Sequence, residues 1–252
     1  MIDSADPAEV LLADIADDPD DDLPRLVLGD LLADRGDPRG EFLQLEMQLR
    51  AGRLTASARQ QLERRRRALL GRYLLDWLGP LADVARTWEF HRGFLHLEIP
   101  AERLSEPLLQ HPCAAWIEQI RVLDCHFHLG DPVLEALLFR AISLHFCNDL
   151  NLGSLVGRLF HRTQISRLRR LHLEGGMFPT PAIYRLMEGQ CRTRLLELTL
   201  AYQTITSHQV ELLLAGTWKE LRRLVLRRCT IESEALSLLR ERFAGRLYLL
   251  PE

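Results

Sequence analysis

Leu168-Arg169-Arg170-Leu171-His172-Leu173, Leu195-Leu196-Glu197-Leu198-Thr199-Leu200 and Leu221-Arg222-Arg223-Leu224-Val225-Leu226 repeat one phrase, a leucine followed three and five residues later by two more. The copies start 27 and then 26 residues apart. A period of that length marks stacked strand-and-helix units, none of which can bury its own apolar face without a neighbour. The same template fits upstream at Ile117xxIle120xVal122xxCys125xPhe127 and, in degenerate form, at Ala141xxLeu144xPhe146; a partial copy follows at Ala244xxLeu247xLeu249. Starts at 117, 141, 168, 195, 221 and 244 give about six units with a period of 23 to 27 residues. Helical spacing fills the intervals, as in Pro132–Phe139, Leu155–His161, Ala182–Met187, Ser207–Leu214 and Ser233–Phe243.

Each unit therefore reads as a short strand, a turn and a helix, which resembles the longer, ribonuclease-inhibitor-like class of leucine-rich repeats. The resemblance implies an α/β fold, a right-handed leucine-rich-repeat horseshoe with a parallel sheet inside. Residues 86–99 alternate as a strand pair bending at Arg92 and Gly93, and are expected to cover the first edge of that sheet. Cys125 and Cys229, at the ninth position of the template, are expected to tie the turn from inside.

Alternation along each strand sends the middle residue of LxL away from the core. Stacking then predicts a row of Glu98, Arg121, His145, His172, Thr199, Val225 and Tyr248, about 4.8 Å apart, flanked by Arg170, Glu174, Glu197, Tyr202, Arg223, Arg227 and Arg228. Arg and Tyr are enriched at interface hot spots. Arg121, His145, Arg170, His172, Glu174, Thr199, Tyr202, Arg223, Arg227 and Tyr248 are accordingly the candidate partner-binding residues on a concave face. The adjacent His145 and His172 suggest binding that changes near pH 6.

Composition fits a soluble globular protein: of 252 residues 47% are hydrophobic and 27% charged. A formal net charge of -3 gives no global reason to expect nucleic acid. Arg72, Asp76 and Asp83 interrupt the longest apolar stretches, so no membrane span is expected. The acidic start lacks the basic region of a secretory leader, and the five cysteines form no CxxC pair, so a reducing cytoplasm is the expected location.

Residues 1–84 read as a separate helical domain ahead of a repeat domain at 85–252. Apolar spacing predicts helices at about 7–16, 23–34, 41–50 and 56–78, with Gly36, Asp37, Pro38 and Gly40 as a turn cluster. Charge is segregated: residues 1–37 hold twelve Asp/Glu against Arg25 and Arg35, while residues 50–72 hold eight arginines against Glu63. The run Arg64–Arg67 points around most of a helix circumference, so it reads as a solvated face partly paired with the acidic first helices rather than a nucleic-acid groove. Arg25, Asp30, Arg39 and Glu41 are expected to form a buried ion-pair network.

The stretch from Asp20 to Phe42, above all Gly36-Asp37-Pro38-Arg39-Gly40-Glu41-Phe42, resembles the repeat-companion domain that precedes leucine-rich repeats in bacterial proteins. Where that family carries Tyr-Ala-Asp-Trp, this chain has Leu28, Gly29, Asp30 and Leu31, keeping the acid and losing both rings. The resemblance implies an accessory or interaction role and no enzymatic activity.

Catalytic signatures are missing: there is no GxSxG, GxxxxGK[ST], GxGxxG or HExxH. Cys125, His126, His128, His145 and Cys147 offer zinc-ligand types. Cys125 is expected to face the core and His145 the opposite side, so no metal and no cofactor are expected. Together these readings describe a non-enzymatic scaffold that binds a protein or peptide partner, or, as the alternative, an adaptor subunit of a bacterial signalling or defence assembly whose partner carries the catalysis.

Overall fold

Proline opens three of the first four helices, its missing N–H being one that a helix start leaves unpaired anyway. In the computed structural model, which describes residues 6–52, 54–124, 131–147, 167–175, 193–216 and 218–250 together with 180, 183, 184 and 186, these are α1 (Pro7–Asp17), α2 (Leu23–Asp34) and α3 (Pro38–Arg50). Asp6 and Asp37 cap α1 and α3, their carboxylates accepting from the Ala8 and Arg39 amides at 3.0 and 2.8 Å. Thr55 does the same for α4 (Ala56–Leu78); the short α5 (Leu81–Val84) follows.

Helix α3 begins three residues before the expected 41, because Gly40 is a crossing residue and not part of the turn. A Cβ there would sit 2.7 Å from the Gly29 carbonyl oxygen, so α2 and α3 meet backbone to backbone. Gly36, with φ 73°, ends α2 in the left-handed region that glycine adopts freely.

After the helices come β1 (Thr87–His91) and β2 (Phe94–Pro100), an antiparallel hairpin turning at Arg92–Gly93 as expected. Both turn residues have positive φ, 54° and 83°, the signature of a tight hairpin whose twist matches its strands. The chain continues through α6 (Glu106–Gln110), β3 (Ile117–Leu123), α7 (Asp131–Arg140), β4 (Ser143–Cys147), β5 (Arg170–Glu174), β6 (Glu197–Ala201), β7 (Thr204–Ile205), α8 (Ser207–Ala215), β8 (Arg223–Arg227), β9 (Thr230–Ile231), α9 (Ser233–Arg242) and β10 (Leu247–Leu250). Among the described residues, eight strands form one sheet in the order β1-β2-β3-β4-β5-β6-β8-β10, parallel throughout except for the first pair. The protein is thus mixed α/β around a mostly parallel sheet. That sheet is not curved, so the horseshoe outline expected from the repeats is not part of what is observed.

The leucine template sets the register. Ile120, Leu144, Leu171, Leu198, Leu224 and Leu247 are successive Cα partners across the parallel strands. The first five are at most 1% exposed, and with Leu168, Leu173, Leu195 and Leu200 they build a continuous apolar column. Each such side chain contributes roughly 1.5–3 kcal/mol by leaving water. The last copy departs from the template: Ala244 is exposed and Phe243 takes the buried place. The ninth position behaves as expected at Cys229, whose thiol donates to the Leu200 and Arg227 carbonyls at 3.3 and 3.5 Å. Gln203, at the same place one unit earlier, donates to the Gly175 and Ala201 carbonyls at 2.7 and 3.1 Å. Cys125, His126 and His128 lie outside the described residues, as do Leu155–His161 and parts of Ala182–Met187.

The expected boundary at 84/85 falls between α5 and β1, yet apolar packing runs across it. Ile15, Leu28, Leu32 and Leu43 of the helices share one cluster with Phe94 of β2 and Ile142. Arg25 of α2 reaches Glu118 of β3 at 3.0 Å with both side chains buried. No helix among the described residues is long and apolar enough to cross a membrane.

Candidate functional site

Alternation places Glu98, Arg121, His145, His172, Thr199, Val225 and Tyr248 on the opposite face from the leucines, and the strand pairing puts them in one row: each is the Cα partner of the next. The centre of this row is a polar cluster organised by Glu174. Its Oε2 lies 2.8 Å from His145 Nε2, 3.1 Å from Arg227 Nη2, 3.7 Å from His172 Nε2 and 3.8 Å from Arg121 Nη2. Arg121 also donates from Nη1 to Glu98 at 2.8 Å and from Nε to the Cys147 sulfur at 3.0 Å. The rings of His145 and His172 lie 3.6 Å apart, centre to centre.

Burial decides the charge of this cluster. It pushes both imidazoles down to about 3, with Arg121 and Arg227 adding repulsion at His145, and His145 and Arg227 at His172. At His172 the Glu174 carboxylate pulls the other way without offsetting burial. Both rings therefore stay uncharged through pH 6, which corrects the expectation that this pair titrates there in the folded protein. Burial likewise raises the Cys147 thiol, against the pull of Arg121, so the sulfur is protonated at neutral pH.

At one end of the row the surface opens. Tyr202, with φ 58° just beyond β6, and Tyr248 on β10 are 45% and 44% exposed. Arg227 and Arg228 sit over the Tyr202 ring at 5.8 and 5.5 Å, and Arg228 donates to its hydroxyl at 2.9 Å. Thr199, by contrast, is only 3% exposed, which leaves little of it for a partner.

Arg170 and Arg223 are not free arms of the row. Arg170 donates to Asp20 at 2.6 Å and to the buried Glu118 at 3.4 Å, while Arg223 reaches Glu197 at 2.7 Å and Asp20 at 3.6 Å. They belong to a larger contact in which the acidic segment after α1 lies along the starts of the strands. Asp17 binds Arg169 and, at 2.7 Å, Arg194; Asp18 takes a two-pronged pair from Arg222 at 2.8 and 3.1 Å; Asp22 binds Arg92. Arg222 holds the Asp18 carboxyl below the usual carboxylate range.

Arg64–Arg67 were expected to be a solvated face paired in part with the acidic first helices. That run is satisfied instead by α3 and its own helix: Arg65 and Arg66 bind Glu41 and Glu46, and Arg67 lies 3.6 Å from Glu63. The expected network of Arg25, Asp30, Arg39 and Glu41 does not form either. Arg25 goes to Glu118, Asp30 accepts from Gln44 at 2.7 Å, Arg39 is stacked between Trp77 and Trp116, and Glu41 takes Arg65. The signal for the acidic contact was present in Arg169-Arg170 and Arg222-Arg223, a basic pair at one place in two repeats.

Among the described residues, two groups bring metal-binding side chains together. One is His91, His96 and Glu118, whose carboxylate is committed to Arg25 and Arg170. The other is His145, Cys147 and Glu174, with ligand atoms all within 4.8 Å of one another. No protein-family model matches the chain, and a comparison with curated proteins finds no relative.

Proposed function

We propose that the chain is a non-enzymatic interaction scaffold: a short leucine-rich-repeat stack with right-handed crossovers, headed by a helical module of the repeat-companion kind, that binds a protein or peptide partner across its open sheet face. The observation that carries the reading is the row from Glu98 to Tyr248, seven register-matched residues on one face of the sheet. Its exposed end supplies side chains that interfaces favour, Tyr202 with Arg227 and Arg228 beside it, and Tyr248. Rigid aromatic rings held by neighbouring guanidiniums contribute contact area at small entropic cost.

The internal pairing of Arg170 and Arg223 changes which substitutions test this. Reversing those charges would disturb the acidic segment as well as any interface. Tyr202→Ala with Tyr248→Ala removes exposed surface and leaves the column intact. In affinity capture from lysate with the full chain, the wild type is expected to retain a partner that the double variant loses while melting at the same temperature. Equal recovery by both would remove the sheet face from consideration as the binding surface.

A further inference from the structure

Two tripeptides of the same form on neighbouring strands, His145-Phe146-Cys147 on β4 and His172-Leu173-Glu174 on β5, send their outer residues to the face opposite the leucines. Positions i and i+2 of a strand share a face. The pairing sets His145 opposite His172 and Cys147 opposite Glu174, so four donor side chains stand at the corners of a small quadrilateral, about 4.8 Å across the strands. Three of them already hold their donor atoms within 4.8 Å of one another. The fourth, His172, has its Nε2 buried, 3.7 Å from Glu174 Oε2, and that atom makes no hydrogen bond among the described residues.

We propose that His145, Cys147, Glu174 and His172 form a zinc site on the sheet. The donor set is two imidazoles, one sulfur and one carboxylate, the mixture that tetrahedral zinc takes with bonds of roughly 2.0–2.3 Å. The present spacing closes onto such an ion with small side-chain shifts, and the strands supply a rigid frame. Binding exchanges the Cys147 thiol proton, released to solvent, for a Zn–S bond; the thiolate and the Glu174 carboxylate then balance the two charges of the ion.

The neighbouring guanidiniums do not have to leave. Arg121 keeps Glu98 at 2.8 Å and stays a donor to the sulfur at 3.0 Å, as outer-shell groups of metal sites do. Arg227, on losing Glu174, retains the ring of Tyr202. The site does not depend on the partner-binding reading, since it uses the enclosed middle of the row rather than its exposed end.

Cobalt reports on it directly. The full chain, stripped with a chelator and titrated with Co²⁺, is expected to bind one ion per chain with a thiolate-to-cobalt charge-transfer band and the visible absorption of a tetrahedral centre, both lost when Zn²⁺ is added. Cys147→Ser is expected to abolish the charge-transfer band. His145→Gln and Glu174→Gln are expected to abolish stoichiometric binding with the far-UV spectrum preserved. Absence of the band in the wild type overturns the proposal. So does a band that survives Cys147→Ser, which would assign the thiolate elsewhere, for instance to Cys113, whose sulfur lies 3.0 Å from His111 Nδ1.

Discussion

Acidification from pH 7 to pH 5 should weaken the fold through His145 and His172. In the unfolded chain both rings have the ordinary value of 6.5, while in the folded protein burial holds them at about 3. A folded value below the unfolded one means that unfolding takes up protons as the pH falls, so stability is constant above the unfolded value and declines from there down to about 3. At pH 5 the difference in proton uptake corresponds to about 2 kcal/mol for each ring, hence about 4 kcal/mol for the two. The groups that face them are Glu98 on β2, Arg121 on β3, Cys147 on β4, Glu174 on β5 and Arg227 on β8. His96, also pushed down by burial, adds to the slope in the same direction and is removed by comparison with a variant. The assay is urea unfolding at about pH 7 and about pH 5 in the presence of a chelator, for wild type and for His145→Asn with His172→Asn, reading stability by linear extrapolation. The double variant should lose most of the acid sensitivity. If the two proteins lost stability equally, to within about 1 kcal/mol, the burial argument for these rings would be wrong.

Two further outcomes follow from the packing of the helices on the sheet. Glu118→Gln leaves the buried Arg25 guanidinium without its charge partner and should cost about 3–5 kcal/mol, whereas Arg25→Met with Glu118→Met should recover much of that loss; chemical denaturation of the three proteins checks both. Gly40→Ala forces a Cβ into the Gly29 and Leu32 backbone where α2 crosses α3, an overpacking worth about 1–3 kcal/mol, and a lowered melting temperature without a change in far-UV spectrum is the expected result.

What could be read from the sequence is what local periodicity encodes. The strand register from Ile120 to Leu247 follows from the template, because a slip of one residue would turn every leucine outward. The hairpin at Arg92–Gly93 and the ends of α2 and α4 were legible for the same reason. Pairings between distant segments were not. Spacing tells that Arg25 and Glu118 lie on particular faces, but not that those faces meet, so the network expected around Arg25 and the pairing of Arg64–Arg67 with the acidic first helices both fail. The histidine cluster lies between these cases. Alternation alone places Cys147 beside His145 and Glu174 beside His172, while Cys125 lies outside the described residues. That the two rings are enclosed, and so cannot titrate near pH 6, depends on Arg121, Arg227 and Glu174 closing over them, a matter of three-dimensional packing.

The acidic segment after α1 also bears on the order in which the chain can complete itself. Its partners are 70, 150 and 204 residues away at Arg92, Arg170 and Arg222. A ribosome delivers Asp17–Asp22 ahead of all three arginines, so during synthesis the contact fills in steps and is complete only once Arg222, just before β8, has emerged. Such distant closures are slow to find. The helices have their partners at the first strands, Phe94, Glu118 and Ile142, much earlier, which leaves the acidic segment as the last part of that contact to lock and a monitor of whether the stack behind it is complete.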